Sequence, residues 1–330
     1  MKRTRAYISS VGMYVPETVV TNNDLAMKVE TSDAWIRERT GIVERRFVRN
    51  GEANSDLSVG AIQSCLEQVG CSPEEIDLII VPTVTPDMMF PSTACVIQEK
   101  LGAVNAWGFD LSGACSGFLY ALATAAQFIE TGRHRKVVVV GTDIMSSIVD
   151  PDDRSTCVLF GDGSGAVLLE PAPDDDTGVL DFLLKADGSG GKFLHMPAGG
   201  SARPASQETV QKRMHYVHQD GRAVYKFAVK YMADVSAELL ERNGLTSEQL
   251  SLFVPHQANL RIIQSTAERL KLKPEQVAIS IDRYANTTAA TIPICLYENS
   301  RSGRLKKGDL VLLASFGAGF TWASVLLRWG

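Results

Sequence analysis

The chain has 330 residues, 45% hydrophobic and 22% charged, with 33 basic against 38 acidic side chains and a net charge of −5. That size and balance fit one large α/β domain or two halves sharing a core, and a mildly acidic chain without a basic tail is a poor binder of nucleic acid. The start, Met1-Lys2-Arg3-Thr4-Arg5, is basic but no long apolar run follows, so no signal peptide is expected. The longest uncharged stretch, 310–327, carries Ser315, Gly317, Gly319 and Thr321 at its centre, which suits two buried strands around a glycine turn better than a membrane helix. Six scattered cysteines with no C-x-x-C pair argue against a disulfide framework or a zinc site, and for a reducing cytoplasm.

Taken in chain order, Trp35 with Arg37, Arg39, Arg45 and Arg46 forms an aromatic and basic cluster. It reads as a charged surface around one packed ring or as a platform for a nucleotide base. A helix is expected over 55–69 and a buried strand over 77–81. Met88-Met89-Phe90-Pro91 is a bulky apolar run in what should be a loop, so it should be covered by a partner or a pocket. A strand over 106–111 leads into Asp110-Leu111-Ser112-Gly113-Ala114-Cys115-Ser116-Gly117-Phe118 and then an almost wholly apolar helix over 117–130. Gly113 and Gly117 bracket a sharp strand-to-helix turn with Cys115 at its apex. A thiol at a helix N-terminus meets the positive end of the dipole, which favours thiolate and makes a nucleophile. The alternative is a small buried structural cysteine.

Strands are expected at 136–140 and 166–169. Gly161-Asp162-Gly163-Ser164-Gly165 looks like a phosphate loop but leads into a strand instead of a helix, so a tight turn is the better reading. His215 and His218 have the spacing of half a metal site, yet no second pair follows, and no metal is expected. Helices follow at 223–242 and 259–270, and strands at 252–254, 277–281 and 310–314. His256 follows the strand at 252–254 and Pro255, at the carboxyl end where α/β proteins keep their chemistry.

Two segments share one grammar. Gly70-Cys71-Ser72-Pro73-Glu74-Glu75 and Gly244-Leu245-Thr246-Ser247-Glu248-Gln249 each give a helix-ending Gly, then a capping box, then a buried strand. Thr131-Gly132-Arg133 before 137–140 matches Ser302-Gly303-Arg304 before 310–313. The reading is two copies of one α/β unit, residues 1–172 and 173–330, joined by the polar Pro173-Asp174-Asp175-Asp176. A shift of 171 residues carries Cys115 onto Asn286, so the two helix starts should converge on one pocket.

A Cys–His–Asn set suggests acyl chemistry on a thioester or a peptide. Gly113-Ala114-Cys115-Ser116-Gly117-Phe118, Val254-Pro255-His256-Gln257-Ala258-Asn259, Tyr284-Ala285-Asn286-Thr287-Thr288-Ala289 and Phe316-Gly317-Ala318-Gly319-Phe320-Thr321-Trp322 resemble the motifs of β-ketoacyl-acyl-carrier-protein synthase III, in the thiolase superfamily. Thr31-Ser32-Asp33-Ala34-Trp35 and Phe90-Pro91-Ser92 extend the likeness over almost the whole chain. The resemblance implies a duplicated α/β fold in five αβαβα layers. It implies that Cys115 takes an acyl group from a short acyl-coenzyme A, acetyl-coenzyme A first, and that malonyl-acyl-carrier protein loses CO2 and attacks it. His256 and Asn286 would stabilise the enolate, and the N–H groups of Cys115 and Ala318 would form the oxyanion hole. Trp35, Arg39 and Arg154 would hold coenzyme A, Arg261 would meet the carrier protein, and Phe90 would line the acyl pocket across a homodimer interface. Coenzyme A is a substrate here, and no cofactor, nucleic acid or membrane is implied.

The chain departs from the family where Gly is often found, at Ala285 and Ala318. Glu268 also stands where a basic residue can occur on the docking helix, which leaves Arg261 and Arg269. Cys295, inside a helix-like run, lacks the setting of a thiolase's second cysteine. The competing readings are a starter-unit acyltransferase of secondary metabolism on the same fold, a papain-like hydrolase without its C-G-[SA]-C-[WY] context, and a binding module.

Overall fold

The computed structural model describes residues 4–49 and 51–330, so the basic start at residues 1–3 lies outside the described residues. The first part of the chain runs β1 (Ala6–Tyr14), β2 (Thr18–Thr21), α1 (Asn22–Ala26), α2 (Asp33–Thr40), β3 (Glu44–Phe47), α3 (Asn54–Glu67), β4 (Leu78–Pro82), α4 (Thr93–Leu101), β5 (Trp107–Leu111), α5 (Gly117–Glu130), β6 (Val137–Asp143), α6 (Arg154–Cys157) and β7 (Gly163–Pro171). The second runs β8 (Gly178–Ala186), β9 (Leu194–His195), α7 (Gln207–Gln211), β10 (His218–Gln219), α8 (Gly221–Arg242), β11 (Leu252–Pro255), α9 (Leu260–Arg269), α10 (Ile281–Tyr284), α11 (Thr291–Arg301), β12 (Leu310–Gly317) and β13 (Thr321–Arg328).

Two mixed sheets dominate, in the orders β1-β7-β6-β4-β5 and β11-β12-β13-β8. In the first, β6, β4 and β5 are parallel, β7 runs antiparallel to β6, and β1 runs antiparallel to β7. In the second, β11 and β12 are parallel, β13 runs antiparallel to β12, and β8 runs antiparallel to β13. The same path is therefore traced twice. Helix α5 is apolar almost all round because it lies between the sheets, where Phe118, Leu119, Leu122 and Ile129 are buried with Ile80, Val139, Val254 and Leu313. Helix α11 packs beside it against β1, β7 and β11. Helices α3 and α4 cover the outer face of the first sheet, through Ile62, Leu66, Ala94 and Ile97. Helices α8 and α9 cover the second, through Met232, Leu239, Ile262 and Ile263. The result is the five-layered αβαβα thiolase architecture.

Both capping boxes are present: Ser72 N–H donates to Glu75 Oε1 at 2.9 Å and Thr246 N–H to Gln249 Oε1 at 2.8 Å, each closing a 3-10 turn before its strand. The polar join lies between the end of β7 at Pro171 and the start of β8 at Gly178. The glycine run at 161–165 is the entry to β7. Its buried Asp162 accepts from the N–H groups of Val48 and Ser146, so the run serves structure.

The strand expected at 277–281 does not form. Only Val277 bridges to Phe253, through the Ala278 N–H to Phe253 O bond of 2.9 Å, and α10 begins at Ile281. Side chains take the other backbone groups. Gln257 Oε1 accepts from Ser280 and Ile281 N–H, and the Arg304 guanidinium donates to Glu275 O and Val277 O. This segment stands where β5 stands in the first sheet, reduced to a single bridge.

Candidate active site

Cys115 sits in a 3-10 turn, Ala114–Ser116, one residue before α5. The turn is tight: a Cβ on Gly113 would lie 2.9 Å from Gly117 Cα, and Ala114 takes φ of 45°, a left-handed value that costs an L-residue energy. The β12–β13 turn is pressed onto it from the other sheet. A Cβ on Gly317 would meet Cys115 N at 2.8 Å, Thr321 Oγ1 donates to Gly113 O at 3.2 Å, and Ser116 Oγ donates to Thr321 O at 3.1 Å. Ala318 lies in that turn, its carbonyl accepting from Thr321 Oγ1.

Burial works against the thiolate expectation. Cys115 is 7% exposed, and burial, followed by the charge of Asp143, pushes its thiol up to about 12, against a smaller lowering by the backbone N–H. Desolvation thus opposes the helix start and favours the thiol.

His256 follows β11, with its N–H on Ala314 O at 2.8 Å. Its Nδ1 pairs with Thr291 Oγ1 at 2.7 Å, while its buried Nε2 has no hydrogen-bond partner among the described residues. Burial pulls the imidazole down to about 3, so it is neutral. Thr291 Oγ1 also lies 3.1 Å from Thr288 O. The one hydroxyl proton can thus go to that carbonyl, leaving Nε2 with a lone pair, or to Nδ1, leaving Nε2–H as a donor. Asn286 Oδ1 accepts from Thr288 N–H at 2.9 Å, which leaves the amide N–H groups to offer.

The matching of the halves also needs correction. Strands β4 and β11, the 3-10 turns Ala114–Ser116 and Thr288–Ala290, and helices α5 and α11 all start 174 residues apart. Thr288 (φ 49°) corresponds to Ala114 (φ 45°), so Ala289 stands in the place of Cys115 and Asn286 in that of Ser112. A shift of 171 matched short residue runs and missed the element frame by one turn.

One cavity of about 680 Å³ is lined by Cys115, His256 and Asn286 together with Trp35, Arg39 and Arg261. Apolar side chains such as Val158, Phe160, Met232 and Phe316 form much of its wall. Arg154 is not in the lining but lies over the Trp35 ring at 4.3 Å. Phe90 is 84% exposed and takes no part in the cavity of its own chain. Within the basic cluster only Arg39 belongs to the cavity. Arg37 pairs with Asp33, Arg46 with Glu44, and Arg45 is buried on Asn22 and Val158 O.

Several residues were missed by sequence reasoning. Asp143 is wholly buried at the end of β6, where Thr83, Val84 and Thr85 donate to one oxygen and Thr288 Oγ1 to the other. Burial raises its carboxyl against those bonds. An acidic residue ending a run of buried valines was the available signal. Gln257 and Thr291 gave none, being ordinary neighbours of a motif. Arg222 lines the cavity from the first turn of α8, where the helix dipole disfavours a cation.

Fold and site together define a thiolase-fold acyltransferase. Family models described as 3-oxoacyl-[acyl-carrier-protein (ACP)] synthase III, and as the C terminal of that synthase, match residues 109–188 and 240–329. A β-ketoacyl-[acyl-carrier-protein] synthase III of Koribacter versatilis is 54% identical over 326 residues, 98% of each chain. The crystal structure of 3-oxoacyl-[acyl-carrier-protein] synthase III from Aquifex aeolicus shares 44% identity at a TM-score of 0.91, covering 98% of this chain and 100% of that one. The priming β-ketosynthase from the R1128 polyketide biosynthetic pathway shares 36% at 0.92, covering 99% and 97%. The chain belongs to the β-ketoacyl-acyl-carrier-protein synthase III family of the thiolase superfamily.

Proposed function

We propose that this chain starts fatty-acid synthesis in the cytoplasm by a decarboxylative Claisen condensation of a short acyl-coenzyme A, acetyl-coenzyme A first, with malonyl-acyl-carrier protein. The observation that carries the reading is the meeting of Cys115, His256 and Asn286, from both halves, on one cavity. As the Cys115 sulfur attacks the thioester carbonyl, its proton passes to the His256 Nε2 lone pair and coenzyme A leaves as the thiol. The backbone N–H groups of Cys115 and Ala318 hold the oxyanion. Malonyl-carrier protein then enters and loses CO2. The enolate oxygen takes hydrogen bonds from Asn286 Nδ2 and from His256 Nε2–H. The carbanion attacks the acyl-Cys carbonyl, the carbon–sulfur bond breaks, and the cysteine sulfur leaves as thiolate and takes a proton from solvent.

Trp35, Arg39 and Arg154 suit a nucleotide end, a ring with cations for phosphates, and Arg261 suits an acidic carrier. Phe90 and Met89 are 84% and 82% exposed, and β5 is a sheet-edge strand; both suit a homodimer contact, through which Phe90 would close a partner's acyl pocket. The second reading, a starter-unit enzyme of secondary metabolism, is favoured by the likeness to a polyketide priming ketosynthase.

Intact-mass analysis after incubation with acetyl-, butyryl-, octanoyl- and dodecanoyl-coenzyme A tests both. Preferred acetyl or butyryl adducts, discharged by malonyl-carrier protein with CO2 release, are expected. Preference for dodecanoyl would defeat the short-starter reading, and no adduct with any donor would defeat the mechanism.

A further inference from the structure

His195 and His218 face each other across the two-stranded ribbon β9–β10, paired residue to residue. Both are exposed, and their ring centres lie 5.5 Å apart at an interplanar angle of 65°. Two imidazoles bound to one tetrahedral metal, with metal–nitrogen bonds of about 2.1 Å, have ring centres roughly 5 Å apart. The ribbon already holds that separation. His215, the neighbour suggested by sequence spacing, is instead tied to Thr209 Oγ1 at 2.9 Å.

We propose that His195 and His218 form a two-imidazole site for a divalent cation of the zinc or nickel class, built on the outside of the cavity wall. Imidazole is a ligand that such borderline cations favour, and it must be neutral to bind. Among the described residues no group of three or more His, Cys, Asp and Glu could hold a metal. Water therefore completes the coordination, and the site is exchangeable.

The position gives the site a consequence. Leu194 and Gln219 are the other cross-strand pair of the ribbon, and side chains alternate between faces along a strand. These two residues line the catalytic cavity. A cation joining the histidines fixes together two strands separated by the segment 196–217, and so stiffens the wall that Leu194 and Gln219 present. A ligand that binds the folded chain alone also raises its thermal stability.

The test is calorimetric titration of the full chain, stripped with chelator, with Ni2+ alone. Thermal melts are recorded with and without the metal. One Ni2+ site per chain and a raised Tm are expected in the wild type and in His215→Asn. His195→Asn and His218→Asn should each lose more than the roughly tenfold that a lost outer-shell partner costs, and lose the Tm rise. Melts in chelator should match the wild type, since both side chains are exposed. Wild-type Ni2+ affinity in His195→Asn and His218→Asn, or no binding by the wild type below millimolar metal, overturns the proposal.

Discussion

Ala114 and Thr288 occupy the same place in the two halves, each left-handed, each heading a 3-10 turn that runs into a central helix. After Ala114 comes Cys115; after Thr288 comes Ala289. The first turn is shaped by absent side chains: Gly113 and Gly117 close on each other, and Gly317 lets another backbone reach the cysteine. The second is held by side chains that are present. Asp143 takes the Thr288 hydroxyl, Asn286 takes the Thr288 N–H, and Thr291 takes His256. Where a bond must form, the chain clears space. Where charge must be received, it fixes hydroxyls, an amide and a ring. On the proposed mechanism, a duplicated path carries sulfur chemistry on one side and proton and charge handling on the other.

The sharpest way to break that division is at the sulfur. Cys115→Ser should abolish the acyl-enzyme, read by intact and peptide mass. Adding Ala289→Cys should not restore it, because Ala289 is buried at 1% and is not in the cavity lining. An adduct at position 289 would show the turns to be interchangeable.

The resting state of that sulfur gives a pH test. With the thiol raised to about 12, its thiolate fraction grows tenfold per pH unit well below that value. Iodoacetamide alkylation of Cys115 should climb on that slope from pH 7 to about 9.5 without levelling. A plateau near pH 7 would restore the thiolate reading and put the helix start above desolvation.

On the other side of the comparison, His256→Ala and Asn286→Ala should each cut CO2 release from malonyl-carrier protein by roughly 100- to 1,000-fold, the usual cost of losing an oxyanion donor. Acylation should survive in part, and better in Asn286→Ala, because Asn286 receives charge while His256 also takes the thiol proton. Unchanged CO2 release in both variants would leave the second turn without its role.

Thr291 refines the same point. Thr291→Val removes the hydroxyl that sets which imidazole nitrogen carries the proton. A fall in kcat of about tenfold with an unchanged KM for acyl-coenzyme A is expected, a buried hydrogen bond being worth that order. Thr291→Ser should recover most of it. Equal loss in both variants would make Thr291 a packing residue only.

The legible parts of the molecule were those with a local physical signature. Helix α5 runs over 117–130 as its unbroken apolar sequence indicated, and both capping boxes closed before their strands. Cys115 and His256 stood out because reactive side chains lay at strand ends. Long-range choices were hidden. The run at 277–281 is apolar enough for a strand, but Gln257 and Arg304 claim its backbone from afar. Asp143 matters only once β6 and the Thr288 turn are brought together. The 171-residue shift reached Asn286 by matching letters, while the folded frame is three residues longer.

The smallest effect belongs to the cavity rim, where α9 carries two arginines with different duties. Arg261 is exposed, its N–H capped by Asn259 Oδ1 at 2.9 Å and its guanidinium 5.4 Å from the Tyr225 ring, with a place in the cavity lining. Arg269, one face of the helix away, donates to Asp234 at 2.5 Å and to the carbonyls of Val229 and Lys230. Its charge is already engaged. Arg261→Glu should therefore raise the KM for malonyl-carrier protein several-fold, shrinking at high salt because rim charges act mainly on encounter and are screened. The KM for acyl-coenzyme A should move little. Arg269→Glu should instead lower Tm slightly, by placing a second carboxylate beside Asp234, and leave carrier KM near the wild-type value. If the two variants raise carrier KM equally, the docking surface extends along the whole of α9 and the pair with Asp234 opens when the carrier arrives.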